Sequence, residues 1–145
     1  MAKNVLALSS LLLALCLTPL QAQSITIAVA GDIACTAQAE KTSSDCYMLE
    51  TSDLILREQV GAVLALGDLQ YPDGALSDFQ SSYDKTWGRF KDITYPSPGN
   101  HEYHTENATG YFDYFGAVAG DPSKGYYSIV IGTLAYSFAK FKLCV

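Results

Sequence analysis

Three apolar stretches along the chain each run into glycine and then into a side chain able to hold a metal. Ile25 to Ala30 leads into Gly31-Asp32, and Ala62 to Leu66 into Gly67-Asp68. Ile93 to Pro98 leads into Gly99-Asn100-His101-Glu102. The first two stretches are short and rich in β-branched residues, which predicts buried strands. Pro96 and Pro98 limit the third to a short or edge-like piece. After the first strand, residues 34–45 are polar and loop-like. Residues 47–60 predict a helix with Met48, Leu49, Ile55, Leu56 and Val60 on an imperfect apolar face and Gly61 as its stop. Strand, helix, strand in that order predicts parallel strands joined by a right-handed crossover. Pro72-Asp73-Gly74 marks a turn. Residues 77–90 predict a second helix whose Phe79, Tyr83, Trp87 and Phe90 recur at near-helical spacing, as core packing against the sheet. Residues 107–124, rich in Gly, Asp and aromatics, read as a long ordered loop, and Tyr126 to Ile131 as a strand. The expected class is α/β, in one domain or part of one.

Glycine at a strand end lets the chain turn sharply and approach a ligand closely. In an open α/β sheet, ligands bind just outside the carboxyl ends of the strands. Three such ends, each offering an oxygen and the third also an imidazole, suggest a hard-metal site. Gly-Asp is also ordinary turn chemistry. That accounts for one occurrence as readily as a ligand does, and for three in order far less well. Asp68, directly after a strand, is placed to bridge two cations, with Asp32 completing one metal and Asn100 the other. Two metals about 3.5–4 Å apart clamp an in-line displacement at phosphorus and activate a water. Carboxylate and amide oxygens suit Mg, Mn, Fe or Zn rather than a soft metal. His101, one residue past a ligand, is placed to donate to a phosphate or to protonate a leaving group. His104 reads as a surface loop residue.

Composition narrows the partners. Fifteen Asp and Glu stand against nine Lys and Arg, so the acidic surface would not steer a polyanion. No basic cluster interleaves with aromatics, which argues against nucleic acid. The first 22 residues have the form of a cleavable signal: Lys3, an apolar core from Val5 to Leu17, and Leu20-Gln21-Ala22 ending in a small residue. The core is shorter than the roughly 20 residues of a spanning helix, and no membrane span is expected after cleavage. The protein is expected to be secreted or periplasmic, with an oligomeric state the sequence leaves open. Export permits disulfides. Cys35 and Cys46 flank the polar loop and are candidates to pair, closing a loop worth roughly 2–3 kcal/mol. Asn107-Ala108-Thr109 is a glycosylation sequon.

Gly31-Asp32, Gly67-Asp68-Leu69-Gln70-Tyr71 and Gly99-Asn100-His101-Glu102 resemble the first three motifs of the calcineurin-like metallophosphoesterases. The Tyr of GDLQY makes the likeness closer to the purple acid phosphatase branch. With GDIAC, PSPGNHEY, GYFDYFG and GYYS, the run looks most like secreted alkaline phosphatase-type members. The resemblance covers residue 25 to about residue 133. It implies a partial calcineurin-like fold, the βαβαβ half of a four-layer α/β/β/α sandwich. It also implies a two-metal hydrolase of small-molecule phosphoric esters, a monoesterase by preference. By the same resemblance, Asp32 and Asp68 bind the first metal and Asp68 bridges. Asn100 binds the second, Tyr71 binds a ferric ion, and His101 contacts the scissile phosphate.

The family also needs three histidines from a VxxH-like and a GHxH motif downstream, and this chain has only His101 and His104. Residues 23–133 therefore read as the N-terminal half of such a domain, inactive as written. Residues 134–145 read as an out-of-frame tail. Shifted by one nucleotide, the segment after Thr133 admits WHIALLNSNCV, where the family continues WHIxxLNSNC, and Cys144 becomes incidental. A half sandwich would leave a sheet face uncovered, which predicts poor solubility. The competing class is a secreted fragment or pseudoenzyme that binds ligand without turnover. A nucleotide-binding α/β domain is disfavoured because no GxGxxG or P-loop follows any strand.

Overall fold

The computed structural model describes residues 24–124, 126–132 and 134–139. The expected signal, residues 1–22, and the end of the expected out-of-frame tail, residues 140–145, lie outside the described residues.

Three parallel strands, β1 (Ile27–Ala30), β2 (Ala62–Leu66) and β3 (Thr94–Ser97), form a sheet in the order β1-β2-β3. Ile27 pairs with Ala62, and Val63 with Thr94. The central strand β2 is buried along four of its five residues. This is why its sequence is a continuous apolar run and not an alternation. Val63 and Ala65 join the larger core, while Ala62 and Leu64 join a second cluster. Among the described residues β3 pairs only with β2, and it tolerates Pro96 as an edge strand does. Thr94–Ser97 is thus the short edge piece the prolines predicted.

The larger core is aromatic. Phe79, Tyr83, Trp87, Phe90, Tyr111, Tyr114 and Phe115 cluster with Ile55 and Val63. Phe79 stacks on Tyr114 with ring centroids 4.9 Å apart, and Tyr83 meets Phe115 edge-on at 5.7 Å. The predicted single helix over 77–90 is instead α2 (Leu76–Ser81) followed by 3-10 turns at Tyr83–Lys85 and Trp87–Ile93. The cause is a diverted donor. The Tyr83 N–H goes to Gln70 Oε1 at 3.1 Å, and Ser82 and Thr86 leave helical geometry. The aromatic stripe survives the break because 3-10 turns keep it on one side.

Two other expectations are corrected. Residues 107–124 contain a helix, α3 (Thr109–Phe115), and a 3-10 turn at Gly116–Ala119. Tyr111, Tyr114 and Phe115 stand at i, i+3 and i+4, so one face of α3 is buried despite the flanking glycines. The first helix, α1 (Met48–Glu58), is shorter than expected and buries Ser52 and Ile55, while Leu49 and Leu56 are exposed. Gln59, at φ 49°, takes the left-handed stop position assigned to Gly61. Arg89 anchors this helix, donating to Ser52 Oγ at 2.5 Å and pairing with Asp53 at 2.7 Å.

A two-stranded antiparallel ribbon, β4 (Tyr126–Ile131) and β5 (Leu134–Ala139), completes the described chain. The strand expected at Tyr126 to Ile131 is β4, and the first six residues of the expected out-of-frame tail are β5. Tyr127, Ile129 and Ile131 face Ala62 and Leu64 in the second cluster. Val29 at 56% and Leu66 at 50% remain exposed. No helix among the described residues is long and apolar enough to cross a membrane.

Candidate metal centre

The loop after β1 and the loop after β2 run side by side beyond the sheet. Asp32, Ile33 and Ala34 donate their N–H groups to the carbonyls of Gly67, Asp68 and Leu69 at 3.1, 2.9 and 3.1 Å, and Tyr71 N–H returns to Ala34 O at 2.8 Å. This extension of the parallel ladder carries Asp32 to Asp68 and Tyr71. Three glycines set how closely the loops approach. A Cβ at Gly31 would stand 2.9 Å from Leu66 O, and one at Gly67 the same distance from Gly99 Cα. A Cβ at Gly99 would overlap the Asp68 carboxylate and backbone nitrogen.

Asp32 and Asp68 both adopt left-handed backbone, at φ 55° and 50°. Asp tolerates this region better than most residues, at a cost of roughly 1–2 kcal/mol. Such strain concentrates at functional sites. The two carboxylates then meet at one phenol. Tyr71 O–H donates to Asp32 Oδ1 at 2.6 Å and lies 3.5 Å from Asp68 Oδ2. Burial, reinforced by the Asp32 and Asp68 carboxylates, pushes the Tyr71 phenol well above its ordinary pKa. The phenol therefore keeps its proton and donates it to Asp32.

The third loop abuts Asp68. His101 N–H donates to Asp68 Oδ1 at 2.9 Å, and the His101 and Tyr71 rings lie 4.3 Å apart. His101 Nδ1 lies 2.5 Å from Pro72 O. A carbonyl only accepts, so Nδ1 carries the proton and Nε2 is the nitrogen left for a ligand. Asn100 is exposed at the turn of this loop, and its carbonyl accepts from Tyr103 N–H at 3.1 Å. His104 is exposed, as expected, but not idle: it pairs with Asp73 at 3.0 Å and its ring lies 4.8 Å from that of His101.

Glu102 and Gln70 hold this arrangement together, and neither was assigned a role from sequence. Glu102 is fully buried. Its Oε2 accepts from Asp68 N–H at 3.0 Å and Gly99 N–H at 2.7 Å. Its Oε1 accepts from Leu69 N–H at 2.8 Å and Gln70 N–H at 3.1 Å. One carboxylate thus staples the second loop to the third. Burial pushes its pKa up, the N–H groups of Gly99, Gln70 and Leu69 pull it down, and the neighbouring Asp68 charge adds to the rise. Gln70 is equally buried. Its Nε2 donates to the carbonyls of Ala34, Cys35 and Tyr71 at 3.3, 3.1 and 2.8 Å, tying the first loop to the second. The disulfide Cys35–Cys46 closes the loop that follows β1, with Cα atoms 5.4 Å apart.

Among the described residues, no group of three or more His, Cys, Asp or Glu side chains is gathered tightly enough to hold a metal. The convergent set is two carboxylates and a phenol, with an amide and an imidazole on the adjoining loop. The Asp32 and Asp68 carboxylates and the Tyr71 phenol are hard oxygen donors of the kind that suit one hard cation. No family model, no curated protein and no solved structure matches the chain.

Proposed function

We propose that this chain carries the carboxylate side of a dinuclear metal site for hydrolysis of phosphoric esters. The observation that carries the reading is the meeting of Asp32, Asp68 and Tyr71 at one point outside the strand ends. The motifs supply the rest of the reading: a partial calcineurin-like fold of the purple acid and secreted alkaline phosphatase type, with a monoester substrate. Asp32, Asp68 and Tyr71 would hold one cation, and Asn100, with Asp68 shared, the other. Bound metals supply charge neutralisation and an activated water. The chain's own groups position the reaction. Asp68 is aimed by the His101 and Glu102 contacts on either side of it. His101, its Nδ1–H committed to Pro72, presents Nε2 to the phosphate. From there it would offer a hydrogen bond to a phosphate oxygen.

Calorimetric titration of the full chain with Mn²⁺, alongside Asp32→Asn and Asp68→Asn, tests the site. Saturable binding lost in both variants supports it, and absence of any binding overturns it. With Fe³⁺, a visible charge-transfer band lost in Tyr71→Phe assigns the phenol as a ligand. A second reading is favoured by the shortage of imidazoles: metal and phosphate binding without turnover. Mn²⁺ binding with no release of p-nitrophenol from p-nitrophenyl phosphate selects it.

A further inference from the structure

A cavity of about 630 Å³ opens beside the candidate metal centre. Asp32 and Tyr71 form one part of its lining. Asp45 and Tyr47 form another, on the loop closed by the Cys35–Cys46 disulfide. Trp87, almost wholly buried, forms a third, with its indole N–H donating to Thr51 Oγ1 at 3.1 Å. The metal-side and loop-side residues thus share one space. Asp32 and Tyr71 belong both to the candidate centre and to this lining, so a phosphate held by a cation there would lie at the edge of the cavity.

The lining decides what that portion is. Among the described residues, the cavity lining contains two carboxylates, Asp32 and Asp45, and no Lys, Arg or His. With Asp32 engaged on a metal, Asp45 is the charge left facing the alcohol portion. A second phosphate would meet no compensating charge, and a carboxylate would be repelled. A cation would meet Asp45 beside the rings of Tyr47, Tyr71 and Trp87, the kind of environment in which alkylammonium groups are bound. Tyr47 already accepts a cation on its ring: Lys41 Nζ stands 4.3 Å from the centroid, its charge paired with Glu50. Asp45 is held in place by Thr42 and Ser44 hydroxyls, each 2.9 Å from Oδ2. The disulfide fixes the backbone beside it.

We infer that this cavity selects phosphoric esters whose alcohol carries an alkylammonium group, of the choline or ethanolamine type. For the placement of the phosphate, the inference rests on the metal-centre reading. The ammonium subsite stands on the cavity alone. Trp87 is the only tryptophan in the chain, so its fluorescence reports directly on ligands entering the cavity.

The test titrates the full chain with choline, phosphocholine and glycerol phosphate, with and without Mn²⁺, and follows Trp87 emission. Choline alone is expected to give a saturable change without metal, because the ammonium subsite needs none. Phosphocholine with Mn²⁺ is expected to bind at least tenfold more tightly than glycerol phosphate. Asp45→Asn should weaken choline by about fivefold, the upper range for a partly solvated charge pair. Tyr47→Leu should weaken it as well, and far-UV dichroism checks that both variants fold. No response to choline, or unchanged affinity in both folded variants, overturns the subsite. Equal binding of glycerol phosphate and phosphocholine overturns the selectivity. If choline binds but Mn²⁺ does not bind by calorimetry, the metal reading fails while the subsite stands. Phosphatidylcholine vesicles run in parallel separate the sources of the headgroup. Saturation by free phosphocholine assigns a soluble ester, and saturation by vesicles alone assigns a lipid-borne one.

Discussion

Glu102→Gln is the sharpest perturbation of this fold, because it changes one atom and almost no volume. Each carboxylate oxygen accepts two backbone N–H groups: Asp68 and Gly99 on Oε2, Leu69 and Gln70 on Oε1. Whichever oxygen becomes the amide nitrogen, two N–H donors then face a donor inside a fully buried site. Hydrogen bonds to a charged group contribute about 1.5–3 kcal/mol each, and stranding a buried donor costs a similar amount. Losing two therefore costs about 3–6 kcal/mol, against a total stability of roughly 5–15 kcal/mol for a domain. Urea unfolding followed by far-UV dichroism at pH 8 measures the loss. Glu106→Gln, at an exposed position on the same loop, is the control and should stay within about 0.5 kcal/mol of the parent. The staple also sets the site, so Mn²⁺ affinity should fall in Glu102→Gln even at temperatures where the variant is folded. A midpoint shift equivalent to less than about 1 kcal/mol, with unchanged Mn²⁺ affinity, would refute the idea that Glu102 joins the two loops.

Gly99→Ala should lose more stability than Gly116→Ala. The first drives a methyl into the Asp68 carboxylate and backbone, an overpacking cost of about 1–3 kcal/mol beyond any lost hydrogen bonds. The second meets nothing within 4 Å but must hold φ at 61°, costing about 1–2 kcal/mol; the reverse order in thermal melts rules the contact argument out. Replacing Cys35 and Cys46 by Ser should cost about 3 kcal/mol, from opening a loop with a sequence separation of 11. Equal urea midpoints for the parent and the double variant would contradict this. Stability should also fall steeply above pH 10. Burial raises the folded-state pKa of Tyr83, Tyr111, Tyr114 and Tyr127, in each case as the largest cause. The stabilising contribution is whole below the unfolded value of about 10 and is lost as pH climbs from there toward the folded values, by up to about 1.4 kcal/mol per pH unit for each phenol. Phenolate absorbance should therefore appear together with loss of dichroism; smooth titration near pH 10 in a folded chain would sink this prediction.

The strands were legible because their signal is local. An apolar run ending in glycine needs no tertiary information, and β1, β2 and β3 lie where those runs lie. The helices were less legible because tertiary donors and acceptors redraw them. Nothing in residues 77–90 reveals that Gln70, on another loop, captures the Tyr83 N–H and breaks the helix. In α3 the signal was present, as Tyr111, Tyr114 and Phe115 at helical spacing, but the surrounding glycines obscured it. Asp32, Asp68 and Tyr71 were named from their positions after strands, and the structure brings them together. Glu102 and Gln70 were not given roles because burial of a charged or amide side chain cannot be read from its own neighbourhood. The only hint was polarity inside runs otherwise rich in Leu, Tyr and Gly.

The glycines explain why so polar a cluster forms at all. Two carboxylates and a buried third, Glu102, gather at one end of a three-stranded sheet, and among the described residues no cationic side chain contacts them. What compensates them is backbone. Five main-chain N–H groups reach these carboxylates, four at Glu102 and one at Asp68. Main chain approaches main chain this closely only where no Cβ intervenes, and Gly31, Gly67 and Gly99 are the three points of approach. The same residue type that ends each strand thus brings the loops together and exposes the amide donors that let acidic groups be buried. The charge on Asp32 and Asp68 is the part that backbone leaves least satisfied. That remainder is what a cation would neutralise, and it is why the predicted fall of Mn²⁺ affinity in Glu102→Gln is a test of the fold as much as of the site.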